Sequence, residues 1–302
     1  MDLLVNEKVI EQSSLVHEPF YLPQGNEKKI FEAAYKKQLP ILLKGPTGCG
    51  KSRFVEHMAF KLQQTITKLS QNKQNGDIQA AVKDFSNKQG FLITIPCHED
   101  LTANDLVGRF FLTLNEGARW IDGPLTKAVR YGGICYLDEI VEARKDVAVL
   151  LHSLTDYRRL LPLVKKGTVV KPPKQFMLIV SYNPGYQSVM KEMKPSTKQR
   201  FVAIDFDYPP TQIEIDVIKH ESGCGEGLAR SLTGAGRKIR SLKTQGLTEG
   251  VSTRLLVYAA TLITEGVPKK EAVTSTLISP VTDDEHMKLS LIDICKGFEL
   301  FS

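Results

Sequence analysis

One octapeptide constrains the fold of this chain more than any other stretch: Gly45-Pro46-Thr47-Gly48-Cys49-Gly50-Lys51-Ser52. It fits G-x-x-x-x-G-K-[ST], a pattern that requires a strand before it and a helix after it. The apolar run 41–43 supplies the first, and Phe54, Met58 and Leu62 at helical spacing supply the second. Glycines let the backbone curl so that successive N–H groups point at phosphate oxygens, and the helix N-terminus adds its positive dipole end. Lys51 is placed to reach the β- and γ-phosphates, and the Ser52 hydroxyl to ligate Mg²⁺. The expected cofactors are therefore ATP and Mg²⁺.

Further short apolar runs recur at 91–95, 134–137, 176–180 and 202–206. Runs of this kind suit strands buried on both faces of a parallel sheet. The intervals can hold crossover helices, so the expected class is α/β with a mainly parallel sheet. After Pro209-Pro210 strand signals stop, and helices are expected at 212–221, 227–242, 253–265 and 268–278. The expected division is an α/β nucleotide-binding domain over 1–209 and a helical domain over 210–302. A polar interlude at 65–90, rich in Gln, Asn and Lys, reads as a surface insertion with one or two helical turns at 78–85.

Several classes are disfavoured. The chain carries 40 Lys and Arg against 34 Asp and Glu, a net charge of +6. Those charges are interspersed, which describes a solvated surface better than a nucleic-acid footprint. No apolar stretch reaches the roughly 18 residues of a membrane span. The N-terminus lacks the pattern of a signal peptide. The five cysteines include no C-x-x-C pair, as expected of reduced thiols in the cytoplasm. Cys97-His98-Glu99-Asp100 lacks a second ligand pair to complete a zinc site and reads as a polar loop.

The remaining candidates fall at strand ends. Asp138 and Glu139 follow the apolar run 134–137, at the edge where open α/β sheets bind ligands. Asp138 is expected to hold the Mg²⁺ shell and Glu139 to polarise the attacking water. Asn183 follows 176–180 and can bond the water or the γ-phosphate, although an Asn before Pro184-Gly185 also suits a turn. Arg200 and Arg254 carry guanidinium groups of the kind that match transition-state phosphate charge. For each, a surface ion pair is the plainer reading. Trp120 lies in a hairpin pattern around Asn115-Glu116-Gly117.

These segments together resemble AAA+ ATPases of the MoxR type, and within them the CbbQ/NirQ/NorQ branch. The resemblance is carried by LLKGPTGCGKSRFVEHMA, CHEDLTANDLVGRFFL, RWIDGPLTKAVRYGGICYLDEIVEAR, SYNPGYQSVMKEMKPSTKQRFVAIDFDYP and GVSTRLLVYAA. It runs from about residue 18 to the C-terminus. It implies a P-loop AAA+ domain with a C-terminal helical lid, assembled as a homo-hexamer. Lys51 and Ser52 become Walker A, Asp138 and Glu139 Walker B, Asn183 sensor 1, Arg254 sensor 2 and Arg200 the arginine finger. The hairpin over 110–121 becomes the insert that faces the pore. The implied partners are a von Willebrand factor A domain protein and a client metalloenzyme, Rubisco in one subgroup and nitric oxide reductase in another. An ATP-dependent regulatory switch without strong turnover is the alternative. A kinase or GTPase fits less well, since N-K-x-D is missing. The motifs do not distinguish the two clients, and the 65–90 segment departs from the family pattern.

Overall fold

The structure, a computed structural model, describes residues 11–13, 17–72, 91–113, 117–184, 193–242, 247 and 249–301. In chain order the elements begin with β1 (Glu11–Ser13), α1 (Glu27–Lys37), β2 (Ile41–Lys44), α2 (Lys51–Asn72) and β3 (Leu92–Pro96). Next come α3 (Ala103–Val107), β4 (Gly108–Thr113), β5 (Gly117–Asp122), α4 (Pro124–Tyr131) and β6 (Gly133–Asp138). They are followed by α5 (Lys145–Thr155), β7 (Leu161–Leu163), β8 (Thr168–Val170), β9 (Phe176–Tyr182), α6 (Pro195–Lys198) and β10 (Val202–Asp205). The last are α7 (Thr211–Ser222), α8 (Glu226–Ser241), α9 (Thr253–Thr264), α10 (Lys269–Val273) and α11 (Glu285–Gly297). Two compact units result. One contains the chain through Asp205 apart from Tyr21–Gln24 and Pro46–Gly50; those two segments belong with the second, which begins at Phe206.

In the first unit a six-stranded sheet has the order β1-β3-β6-β9-β2-β10. Every pairing is parallel except that of β1 with β3. The five parallel strands are the five apolar runs of the sequence. In β6 and β9 the side chains alternate between two covered faces: all seven residues of β9 are buried, as are the first five of β6, while on the edge strand β10 only Ile204 is buried. Removing one such aliphatic side chain from water contributes about 1.5–3 kcal/mol, which is why continuous apolar runs are held here. Phe31 of α1 meets Phe54 of α2 edge-on at 5.6 Å and closes the packing between those helices.

The register aligns the strand ends that matter. Leu43 pairs with Ser181 and Lys44 with Tyr182, while Leu137 pairs with Val180. The C-terminal ends of β2, β6 and β9 therefore lie side by side. Gly45, Asp138, Glu139 and Asn183 leave the sheet from three adjacent strands.

Two antiparallel hairpins rise from this unit. In β4–β5, Phe110 pairs with Trp120 and their rings meet edge-on at 5.1 Å. Trp120 packs against the core, and Leu112, 87% exposed, is the most exposed of the hairpin's outward apolar residues, which include Phe110 and Ile121. The short β7–β8 hairpin was not expected from the sequence. Its turn carries Lys166, whose ammonium lies 5.8 Å from the centre of the Trp120 ring.

The second unit is helical and has its own core. Leu232 and Ile239 of α8, Leu256 and Ala260 of α9, and Leu291 and Cys295 of α11 are buried together. A polar knot ties three of these elements. Glu214 on α7 is fully buried; Arg240 on α8 grips it with two bonds of 2.9 and 2.7 Å, and the Thr253 hydroxyl donates to it at 2.6 Å. Arg240 also donates to the Val251 carbonyl and stacks 3.9 Å from the Tyr208 ring centre.

Three expectations need correction. The helix expected at 268–278 is α10 followed by a π-helical turn, Thr274–Ile278. Hydroxyls of Thr274, Ser275 and Thr276 each bond the carbonyl four residues back, competing with the regular ladder there. Helix α11 had no sequence counterpart. The apolar run 255–263 lies in α9, which buries Leu256, Ala259 and Ala260 and leaves Tyr258 52% exposed. The insertion also begins later than residue 65. Helix α2 continues to Asn72, as the good helix propensities of Gln and Lys allow. The turns expected at 78–85 lie outside the described residues.

Candidate functional site

The loop between β2 and α2 folds back on its lysine. Lys51 is buried, and its ammonium donates to the Gly45 carbonyl at 2.8 Å and to Asn183 Oδ1 at 2.7 Å. Asn183 in turn donates through Nδ2 to Glu139 Oε1 at 3.0 Å. Three residues spread over 132 positions of the sequence form one chain of hydrogen bonds. The strand order explains it, because β9 lies between β2 and β6 and its terminal amide reaches both neighbours.

A second group adjoins the first. Ser52 Oγ lies 3.3 Å from Asp138 Oδ2 and 3.3 Å from the Tyr136 hydroxyl. Tyr136 donates to Asp138 Oδ1 at 2.6 Å, and Ser181 Oγ donates to the same oxygen. Burial, with the Asp138 charge beside it, pushes the Tyr136 phenol well above its ordinary range, so it stays protonated and a donor. Cys97 lies at the same sheet edge, with its N–H on the Asp138 carbonyl at 2.9 Å. Burial and the Asp138 and Glu139 charges push its thiol up to about 12, so it is an inert thiol at neutral pH.

The backbone is shaped for a ligand. Gly48 and Gly50 have φ of +67° and +102°, conformations that side chains resist. A Cβ at Gly50 would meet no atom within 4 Å, so that side of the loop is open space. A Cβ at Gly48 would fall 2.7 Å from Ser252 Cβ and 3.5 Å from Arg254 Cβ, so the loop's first bend touches the start of α9. Gln24 donates to the Cys49 carbonyl at 3.3 Å. A curled backbone, an ammonium and open space suit a polyphosphate. A hydroxyl and a carboxylate side by side are the hard oxygen donors that Mg²⁺ selects.

Comparisons with known proteins agree with this geometry. The AAA domain (dynein-related subfamily) matches residues 40–201, and the CbbQ/NirQ/NorQ C-terminal domain matches residues 214–298. Protein CbbQ of Hydrogenophilus thermoluteolus is 51% identical, over 91% of this chain and 92% of its own. The chain belongs to the CbbQ/NirQ/NorQ family of AAA+ ATPases. Protein NorQ of Paracoccus denitrificans (strain Pd 1222) is 49% identical, covering 92% of this chain and 93% of that protein. The denitrification regulatory protein NirQ of Stutzerimonas stutzeri is 45% identical over 91% and 90%. As a family member, the chain is a nucleotide-binding ATP hydrolase. No helix among the described residues is long and apolar enough to cross a membrane.

Neither arginine is a member of this chain of bonds. Arg254 is exposed at the second residue of α9, whose N-cap Ser252 accepts from Leu255 N at 3.3 Å. Arg200 is exposed just after α6. The plainer reading, an ion pair with Asp205 or Asp207, does not appear among the described residues. Asp205 pairs with Lys44 at 2.6 Å, and Asp207 accepts the Tyr208 N–H. The Thr197 hydroxyl, on α6, bonds His152 of α5 at 3.0 Å.

Two residues of the site were missed. Tyr136 was absorbed into an apolar strand, and Ser181 was passed over as a residue following the run 176–180. Each stands two residues before an acid or amide already singled out, Asp138 and Asn183. The period of two in a strand puts such pairs on one face. A hydroxyl two positions before a catalytic-edge residue was the available signal.

Proposed function

We propose that this chain binds ATP and Mg²⁺ at the cluster of Lys51, Ser52, Asp138, Glu139 and Asn183, and uses hydrolysis to remodel or activate a client metalloenzyme. The observation that carries the reading is the Lys51–Asn183–Glu139 chain, which links a phosphate-binding cation to a carboxylate through one amide. Residues 45–52 cradle the phosphates with backbone N–H groups. Ser52 and Asp138 would hold the cation, and a bound Mg²⁺ would supply positive charge opposite the phosphoryl oxygens. Glu139 takes up a proton from the attacking water and Asn183 orients it. Arg254 reads the phosphates from the helical lid over 210–302, and Arg200 acts on a nucleotide bound by the next copy around a cytoplasmic homo-hexamer. The α/β domain spans 1–209. The name of one relative, denitrification regulatory protein, supports a client in denitrification; Rubisco or nitric oxide reductase as that client, with a von Willebrand factor A domain protein as adaptor, is what the family resemblance implies.

The test is steady-state turnover with ATP and GTP, alone and with the adaptor, alongside recovery of activity by an inhibited or unassembled client. ATP-specific turnover that rises with the adaptor and restores the client is expected. Binding of ATP without turnover in every combination would leave a regulatory switch in its place.

A further inference from the structure

Two hydroxyls that the proposed chemistry does not use converge on one oxygen of Asp138. Tyr136 donates to Oδ1 at 2.6 Å, and Ser181 donates to the same atom. The other oxygen, Oδ2, faces Ser52 Oγ at 3.3 Å. Ser181 does a second thing: its oxygen accepts the Glu139 N–H at 3.0 Å. That N–H belongs to a residue with left-handed backbone, φ 56° and ψ 50°. Tyr136 and Ser181 are 1% and 0% exposed, so water does not compete for either bond.

We propose that Tyr136 and Ser181 are positioning residues for the cation site: they pin Asp138 Oδ1 so that Oδ2 and Ser52 Oγ face the metal, and Ser181 also anchors the turn that aims Glu139. This rests on the reading of Asp138 and Ser52 as the residues that hold Mg²⁺. A carboxylate with a single donor bonded to it could rotate and exchange its oxygens. With two donors on the same oxygen, rotation breaks both bonds together. The Tyr136 oxygen, 3.3 Å from Ser52 Oγ, has a further use. Its own proton goes to Asp138, which leaves its lone pairs free to accept. When Ser52 turns a lone pair toward a cation, the Ser52 proton can point at Tyr136 or at Asp138 Oδ2. An aliphatic residue at 136 would remove the first choice. The competing account is that both hydroxyls only satisfy a buried carboxylate, as buried polar groups generally must be satisfied.

Tyr136→Phe and Ser181→Ala separate the accounts, with Asp138→Asn as reference. Mn²⁺ binding to the ADP complex is read by electron paramagnetic resonance. Metal-free nucleotide affinity is read with a fluorescent analogue, and kcat is followed against Mg²⁺ concentration. Groups that orient metal ligands typically change metal affinity by about 10–100-fold. Tyr136→Phe should fall in that range for Mn²⁺, raise the Mg²⁺ needed for half-maximal turnover, and leave metal-free nucleotide affinity unchanged. Ser181→Ala should do the same and also lower kcat at saturating metal, since Glu139 loses its anchor. A folded Tyr136→Phe with wild-type Mn²⁺ affinity overturns the proposal. That variant removes one oxygen and keeps the ring, so it decides even if Ser181→Ala does not fold. Wild-type Mn²⁺ affinity in Asp138→Asn would instead overturn the underlying assignment of Asp138.

Discussion

Glu139 holds its carboxylate on a backbone that non-glycine residues rarely adopt, at φ 56°. Such a conformation costs about 1–3 kcal/mol and persists only where neighbours enforce it. Two neighbours do so here: Ser181 takes its N–H and Asn183 takes its side chain. This suggests a clean substitution. In Glu139→Gln the amide oxygen can still accept from Asn183, so the turn and the loop should survive. ATP binding should be retained, while turnover falls by the ~10²–10⁴ typical of a positioned general base. Comparing a fluorescent-nucleotide titration with phosphate release checks both halves; turnover within about two-fold of wild type, far short of that range, would remove Glu139 from the role.

At the scale of elements, the polar knot of the helical unit makes a stability prediction. Glu214 has no exposed surface, and Arg240 supplies the facing charge. Arg240→Ala would strand that carboxylate in an apolar core, and breaking a buried pair in this way typically costs about 3–5 kcal/mol. Urea unfolding followed at the helical unit should show a loss of that size; a change under about 1 kcal/mol, the level of an exposed pair, would mean water reaches Glu214. The elements also differ in how far the sequence revealed them. The parallel strands were legible because burial on both faces leaves a continuous apolar run. Strand β1, β7 and β8 were not, since three residues are too few to show a period. Helix α11 was missed because Leu289 is 59% exposed and blurs the apolar stripe around Leu291 and Cys295. At the site, the ends of β2, β6 and β9 could be named from sequence, but their adjacency depends on strand order. The hydroxyls of Tyr136 and Ser181 were hidden because aromatic and small residues are ordinary in buried strands.

At the scale of the whole molecule, the exposed Arg200 makes the proposed ring testable by mixing. Arg200→Ala and Lys51→Ala assemblies should each be inactive alone. In mixed rings some interfaces join an intact phosphate loop to an intact Arg200, and ATPase should partly return, since an arginine finger contributes ~10³–10⁵ in rate. No return, with co-assembly confirmed by native mass spectrometry, would confine Arg200 to its own copy. Helix α2 has a reach that bears on any such machine. Its 22 residues begin at Lys51 itself and end at Asn72. At 1.5 Å per residue that is a rigid arm of about 32 Å, so each degree of tilt in its first turn displaces its tip by about half an ångström. The polar segment 73–90 follows that tip in the sequence, so a tilt of α2 at the phosphates would reach the helix end as distance rather than angle.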